Sequence, residues 1–171
     1  MGLPEVISGR VWRLGDHVNT DLLHPPAYFS LDASRVKEGL REGMRRLGAD
    51  LREEYAAEGL VIVAGENLGC GSSRESSVRA LRIGGVKAVV ASSFARIFYR
   101  NLANLGIPPL ECRGAHDWVR DGDLIRIFIK DGMIELDNAR RFSISPLDRH
   151  IEEILACGGL VPYLRRKLDE I

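Results

Sequence analysis

The chain has 171 residues, 45% apolar and 28% charged, the balance of an ordinary globular protein. A chain of this length buries roughly 70% of its unfolded surface, so no metal or disulfide staple is needed to hold it together. Lys and Arg number 24 against 24 Asp and Glu, and this dispersed neutral charge excludes the clustered basic surface of a nucleic-acid binder and the polybasic block of a peripheral membrane protein.

Cys70, Cys112 and Cys157 are far apart and odd in number. That pattern argues against a structural zinc site or redox dithiol, and free thiols point to a reducing, cytoplasmic compartment. The first ten residues lack the apolar core of a secretory signal. No run approaches the roughly 18 apolar residues that span a membrane. No internal repeat, low-complexity tract or linker is visible, so one domain over residues 1–171 is expected.

In chain order, residues 6–14 read as a strand, with Ile7, Val11 and Trp12 supplying β-favouring bulk. Residues 15–21 form a polar loop of turn formers. Pro25-Pro26 keeps 22–31 irregular, since adjacent prolines do not fit a helix interior. Residues 32–58 read as a helix opened by Asp32. Val36, Leu40, Met44 and Leu47 form its apolar stripe, and a break is expected near Gly48. Residues 60–64 are a short apolar run that suits a strand buried on both faces. A helix over 73–83, ended by Gly84-Gly85, and a strand over 86–91 complete a βαβ unit with parallel strands. A further helix is predicted over 93–105, capped by Ser92 or Ser93, with Phe94, Ile97 and Phe98 in the core. Leu110 to Cys112 starts another strand. Residues 124–129 and 133–136 form a hairpin whose Asp131-Gly132 predicts a type I′ turn. Phe142 to Ile144 adds an edge strand, and 146–168 is helical with an interruption at Gly158-Gly159. The fold class is α/β, with a small parallel βαβ centre and antiparallel strands contributed from both ends.

The segment that carries chemistry is 65–75, Gly-Glu-Asn-Leu-Gly-Cys-Gly-Ser-Ser-Arg-Glu. It lies between a buried strand and a helix start, where glycines let backbone approach a ligand and free amides favour an anion. A Walker loop needs Gly-Lys-Ser/Thr, and Ser73-Arg74 stands instead. A dinucleotide fingerprint needs a glycine where Arg74 sits, and no nucleophile elbow surrounds Ser72 or Ser73. Spacing alone favours a capping box from Ser72 to Glu75.

The block from Gly65 to Glu75, followed by Ser93-Phe94-Ala95-Arg96-Ile97-Phe98-Tyr99-Arg100-Asn101 and Gly106-x-Pro108, resembles the small subunit of 3-isopropylmalate dehydratase. Homoaconitase small subunits and the swivelling domain of aconitase share the pattern. Gly15-Asp16-x-Val18-Asn19-Thr20-Asp21 resembles the segment ahead of that family's specificity loop. The likeness runs from about Gly9 to Leu110.

The resemblance implies an aconitase-type swivelling domain and a hydro-lyase that dehydrates a small hydroxy di- or tricarboxylate and rehydrates it at the neighbouring carbon. It implies that Ser72 is the base and that Arg74 binds a substrate carboxylate. Asp21 matches an acidic active-site residue, and the Lewis acid is a 4Fe–4S cluster on a large partner subunit. Helix-start amides of Ser73 and Arg74 would stabilise the Ser72 alkoxide, and such donors are typically worth about 3–4 kcal/mol each. The arginine fork suits a bidentate carboxylate. The widely spaced cysteines offer no site for a cubane, so this chain is expected to bind no cofactor and to act only with its partner. Alone, it could self-associate.

The sequence departs from the family after Glu75, where Ser76-Ser77-Val78 replaces His or Gln and small residues. In the specificity loop Pro25-Pro26-Ala27-Tyr28-Phe29-Ser30-Leu31 replaces Pro-Ala-Arg-Tyr-Leu. Homoaconitase-like members place an arginine where Ser30 stands, so Tyr28, Phe29, Ser30 and Leu31 favour the branched alkyl group of isopropylmalate. Homoaconitase, citraconate and dimethylmalate dehydratases stay open, as does a non-catalytic anion-binding module. A stand-alone serine hydrolase would need a histidine and an aspartate brought to Ser72, and the chain has only four histidines and no elbow. The loop at 22–31 could order only on meeting the partner or substrate. His17 and His24 are either an acid or metal ligand or plain loop residues, His116 and His150 are surface positions, and Cys70 could face the cluster without ligating it. Arg96 and Arg100 are ties to the glycine loop, partner contacts or surface charges.

Overall fold

The apolar runs become strands β1 (Ile7–Arg13), β2 (Leu60–Ala64), β3 (Val86–Ala91), β4 (Pro109–Glu111), β5 (Leu124–Phe128), β6 (Met133–Leu136) and β7 (Arg141–Ser143). They are seen in a computed structural model that describes residues 2–48, 58–71 and 74–170. The strands form one sheet of order β4-β3-β2-β1-β5-β6-β7. The helices are α1 (Thr20–Leu23), α2 (Ala33–Arg46), α3 (Ser76–Ile83), α4 (Arg96–Asn104), α5 (Arg149–Ala156) and α6 (Leu160–Asp169), with 3₁₀ turns at Pro26–Tyr28 and Ala115–Asp117.

The parallel centre is larger than expected and includes the first strand. β1 runs parallel to β2, with Val11 beside Val61, and antiparallel to β5, with Ile7 beside Ile127. It is the strand at which the sheet changes character. The physical reason is the connection: the long excursion through α2 allows a parallel return, whereas β5, β6 and β7 meet antiparallel neighbours.

Alternation decides which side each residue faces. Trp12, Leu14, Ile62, Ala64, Val89 and Ala91 join a core with α2, α3 and α4. Val11, Val61, Val63, Ala88 and Val90 join a second core with Ile125, Ile127, Leu136, Cys112 and Val119. The sheet curls around this second core, and the Ser145 N–H donates to the Glu111 carbonyl at 2.8 Å, tying the segment after β7 to β4.

The helix starts differ from the sequence expectation. α2 opens as predicted, its Asp32 carboxylate accepting from the Ser34 N–H at 2.9 Å, but it ends at Arg46, and 49–57 lie outside the described residues. α3 begins at Ser76 rather than Ser73, and Glu75 is its N-cap residue with no side-chain capping bond. The capping box read from Ser72 to Glu75 involves Ser72, which with Ser73 lies outside the described residues. α4 begins at Arg96 behind Ala95, not at a serine cap. The Ser93 hydroxyl instead accepts from the Asn67 N–H at 2.8 Å, and its carbonyl accepts from the Leu68 N–H at 3.0 Å.

Three smaller expectations also change. Ile97 is exposed, whereas Phe98 is buried and Phe94 is partly buried. The β5–β6 turn is not type I′: its four residues lie between the paired Phe128 and Met133, and Gly132 takes a positive φ of 64° while Asp131 does not. A type I′ turn requires positive φ at both central residues. Residues 22–31 hold the end of α1 and a 3₁₀ turn, so they are more regular than two adjacent prolines suggested.

α2 crosses the end of α1 so closely that a Cβ at Gly43 would meet the carbonyl oxygens of Leu22 and Leu23. Gly43→Ala is expected to lower the unfolding free energy by roughly 1–3 kcal/mol, as overpacking against backbone does. Gly15 has open space around it, so Gly15→Ala should stay within about 0.5 kcal/mol. Thermal melts of the two variants check both expectations.

Candidate active site

The chemistry-bearing loops leave the C-terminal ends of parallel strands, where open α/β sheets place their clefts. The loop after β1 lies alongside the loop after β2, and main-chain bonds join them: Gly65 N–H to Gly15 carbonyl (3.2 Å), His17 N–H to Glu66 carbonyl (2.7 Å), Gly69 N–H to Val18 carbonyl (2.9 Å) and Thr20 N–H to Cys70 carbonyl (3.0 Å). The Asp16 carboxylate accepts from the Glu66 N–H at 2.7 Å. The segment after β3 flanks the other side, its Ala95 N–H donating to the Leu68 carbonyl at 2.9 Å.

Two non-glycine residues of this web, His17 (φ 54°) and Asn67 (φ 52°), take left-handed backbone, a conformation that clusters at functional sites. Their side chains meet, with His17 Nδ1 and Asn67 Nδ2 3.2 Å apart. Asn19 caps α1, its side-chain oxygen accepting from the Asp21 N–H at 2.8 Å. The same carboxamide lies against Gly71, whose φ of 101° and lack of room for a Cβ both require glycine.

This arrangement brings Asp21 and Arg74 together, with Arg74 Nη2 3.3 Å from Asp21 Oδ1. The two side chains are 39% and 55% exposed, so the pair contributes little to stability and both groups are open to a ligand. Arg74 Cζ also lies 5.1 Å from the Phe29 ring centroid. Phe29 stacks on His24 at 5.5 Å and 9°. Ser72 and Ser73 lie outside the described residues, between the exposed Gly71 and Arg74.

His24 is neither a loop residue in water nor a ligand in an open site. It is 1% exposed, and neither ring nitrogen has a hydrogen bond of good geometry. Burial pushes its pKa below the ordinary value, and the nearby Val36 backbone opposes that shift. Tyr28 backs onto α2, its Cβ against Gly39. The loop that carries Phe29, Ser30 and Leu31 is gripped from two helices. Arg35 donates to the Ala27 carbonyl at 2.9 Å. Arg79 donates to the carbonyls of Ser30 (2.8 Å) and Leu31 (3.1 Å).

Arg96 and Arg100 lie apart from the Asp21–Arg74 pair, whereas Cys70 belongs to the loop web itself. Arg96 and Arg100 line a groove with Tyr99, Glu111 and Ile151, not with the glycine loop. The half-buried Cys70 thiol donates to the His17 carbonyl at 3.2 Å. Among the described residues no three His, Cys, Asp or Glu side chains gather as a metal site, and no helix is long and apolar enough to cross a membrane. Sequence reasoning missed Asn19, Asn67 and Arg79. An Asn directly before a short helix is a readable cap signal, whereas the other two contacts join segments distant in sequence.

Residues 35–115 match the family model described as the aconitase C-terminal domain. A 3-isopropylmalate dehydratase small subunit of Caldanaerobacter subterraneus subsp. tengcongensis is 37% identical over 163 residues, covering 95% of this chain and 99% of the relative. A methanogen homoaconitase small subunit of Methanothermobacter thermautotrophicus is 42% identical over 173 residues, covering 96% and 94%. The crystal structure of a 3-isopropylmalate dehydratase from Methanocaldococcus jannaschii superposes with a TM-score of 0.83 at 39% identity, covering 96% of this chain and 97% of that one.

The buried titratable groups yield two expectations. The unfolded imidazole of His24 takes up a proton near 6.5, whereas the folded one resists. Stability present above about pH 6.5 is therefore lost as pH falls towards the folded pKa. The Tm should drop between about pH 7.5 and 5.5, and drop less in His24→Leu. Burial raises the Cys112 pKa to about 11. Thiol alkylation of the folded chain, followed by peptide mapping, should label Cys70 and Cys157 well before Cys112.

Proposed function

Because the chain belongs to the family of 3-isopropylmalate dehydratase small subunits, we propose that it supplies the base and the carboxylate anchor of a two-subunit hydro-lyase acting in the cytoplasm. The preferred substrate is 2-isopropylmalate, converted to 3-isopropylmalate. The observation that carries this reading is the exposed Arg74–Asp21 pair with Phe29 against the guanidinium, at the strand ends beside Gly71.

In this reading Arg74 exchanges part of its hold on Asp21 for a bidentate grip on the substrate carboxylate, which fixes the adjacent carbon. Ser72 takes the proton from that carbon as the hydroxyl leaves its neighbour, so a double bond forms between the two carbons. Water then adds back with hydroxyl and hydrogen exchanged, and Ser72 returns the proton. A hydroxyl is a weak base in water, so this role needs main-chain donors around its oxygen. α3 begins at Ser76, so the amides of residues 73 and 74, to which this reading assigns that task, precede the helix in the chain. Asp21 holds Arg74 in place between turnovers.

The Lewis acid for the departing hydroxyl is assigned to a 4Fe–4S cluster on a large partner subunit. The described Cys, His and carboxylate side chains of this chain do not gather to hold one. Phe29 and the 91% exposed Leu31 would meet the alkyl branch of the substrate. No arginine occupies position 30, so preference for a distal carboxylate is not expected.

The reconstituted pair tests the assignment. Ser72→Ala should lower kcat by roughly 10²–10⁴-fold, the range for loss of a general base, while the complex still assembles. Arg74→Lys should mainly raise KM, because a point charge cannot replace the fork. Wild-type turnover in Ser72→Ala would remove the base assignment. A substrate panel that favoured homocitrate over 2-isopropylmalate would overturn the substrate reading. If no iron-containing partner co-purifies, the non-catalytic anion module becomes the better account.

A further inference from the structure

We propose that Arg79 is a positioning residue for substrate choice: its guanidinium locks the backbone of residues 30 and 31, and so sets Phe29 against Arg74 without itself touching substrate. The inference rests on the hydro-lyase reading above and deepens it. Arg79 stands on α3, the helix that follows the glycine loop. Ser77, Val78, Ala80 and Leu81 on the same helix are buried, so the stem of Arg79 projects from a fixed support.

The fork geometry is specific. Nη1 donates to the Ser30 carbonyl at 2.8 Å and Nη2 to the Leu31 carbonyl at 3.1 Å. Consecutive carbonyls suit the two parallel N–H groups of a guanidinium, whereas an ammonium engages them as a single point. No described backbone N–H donates to either carbonyl, so without Arg79 both would turn to water and the segment would lose its register. No described carboxylate pairs with Arg79, so its charge is spent on the loop rather than on an ion pair.

The held segment is the one that matters for recognition. It begins at Phe29, whose ring faces Arg74 at 5.1 Å, and ends at Asp32, the N-cap of α2. Arg35 fixes the preceding Ala27 from α2. Among the described residues, the side-chain hydrogen bonds that connect 30–31 to the helix after the glycine loop come from Arg79. It therefore relates the side chains facing the substrate's variable end to those facing its reacting end.

The test uses the chain reconstituted with its cluster-bearing partner, carrying Arg79→Met, which keeps length and removes the donors, and Arg79→Lys. The preference for 2-isopropylmalate over homocitrate and citrate, read as a ratio of kcat/KM, should fall by about tenfold or more in Arg79→Met, the scale on which small misplacements act. The fall should come through KM with kcat largely kept, and Arg79→Lys should restore part of it. Hydrogen exchange of the chain alone should quicken at 28–32 in Arg79→Met and stay unchanged in β2 and β3. Unchanged preference, or an equal loss for every acid together with a lowered Tm, overturns the proposal. If Arg79→Met fails to fold, Arg79→Gln is read by the same criteria. If the wild-type pair turns over none of the acids, the hydro-lyase reading fails, and exchange at 28–32 then decides the clamp by itself.

Discussion

The candidate site depends on a ladder of main-chain hydrogen bonds between two loops that are about fifty residues apart in sequence. Those bonds seat residues 15–20 against residues 65–70. They bring Asp21 to Arg74 and the Asn19 carboxamide to Gly71. Buried backbone groups must be paired, so neither loop can shift alone without leaving donors unsatisfied. The positive φ values of His17 and Asn67 are the visible strain of that arrangement, and the packed strands beneath hold it.

The loops meet because their strands do. β1 and β2 are adjacent and parallel, with Arg13 beside Val63, so their C-terminal ends leave the sheet together. The αβ side of the sheet supplies a rigid floor of fully buried residues, among them Trp12, Ile62 and Leu68. β1 also closes the antiparallel half by pairing with β5. One strand thus joins the half that carries the site to the half that completes the second core.

Arginines organise the rest of the site in different ways. Arg74 is left accessible beside a carboxylate and an aromatic ring, a poor arrangement for stability and a good one for capturing an anion. Arg35 and Arg79 are committed to backbone carbonyls and shape the loop at 27–31. His24, buried under Phe29, gives that loop an aromatic underside and makes its packing sensitive to acid. Beneath it, Gly43 lets α2 approach the end of α1.

Much of the fold was legible in the sequence by itself. The apolar runs at 60–64 and 86–91 marked two central strands, the alternation at 124–136 marked a hairpin, and Asp32 marked the start of α2. Each signal is local, because periodicity and side-chain capping act over a few residues. The glycine-rich run through Arg74, with Asp21 upstream, also marked, through its likeness to the dehydratase small subunits, two residues that the fold brings within 3.3 Å of each other. The tertiary structure alone decided that β1 joins the parallel set, that the serines near 93 hold the Asn67 loop instead of capping a helix, that His24 is buried, and that Arg79 reaches residues 30 and 31. These outcomes come from hydrogen bonds and packing between segments far apart in the chain, and such contacts are chosen by the geometry of the assembled sheet rather than by neighbouring residues.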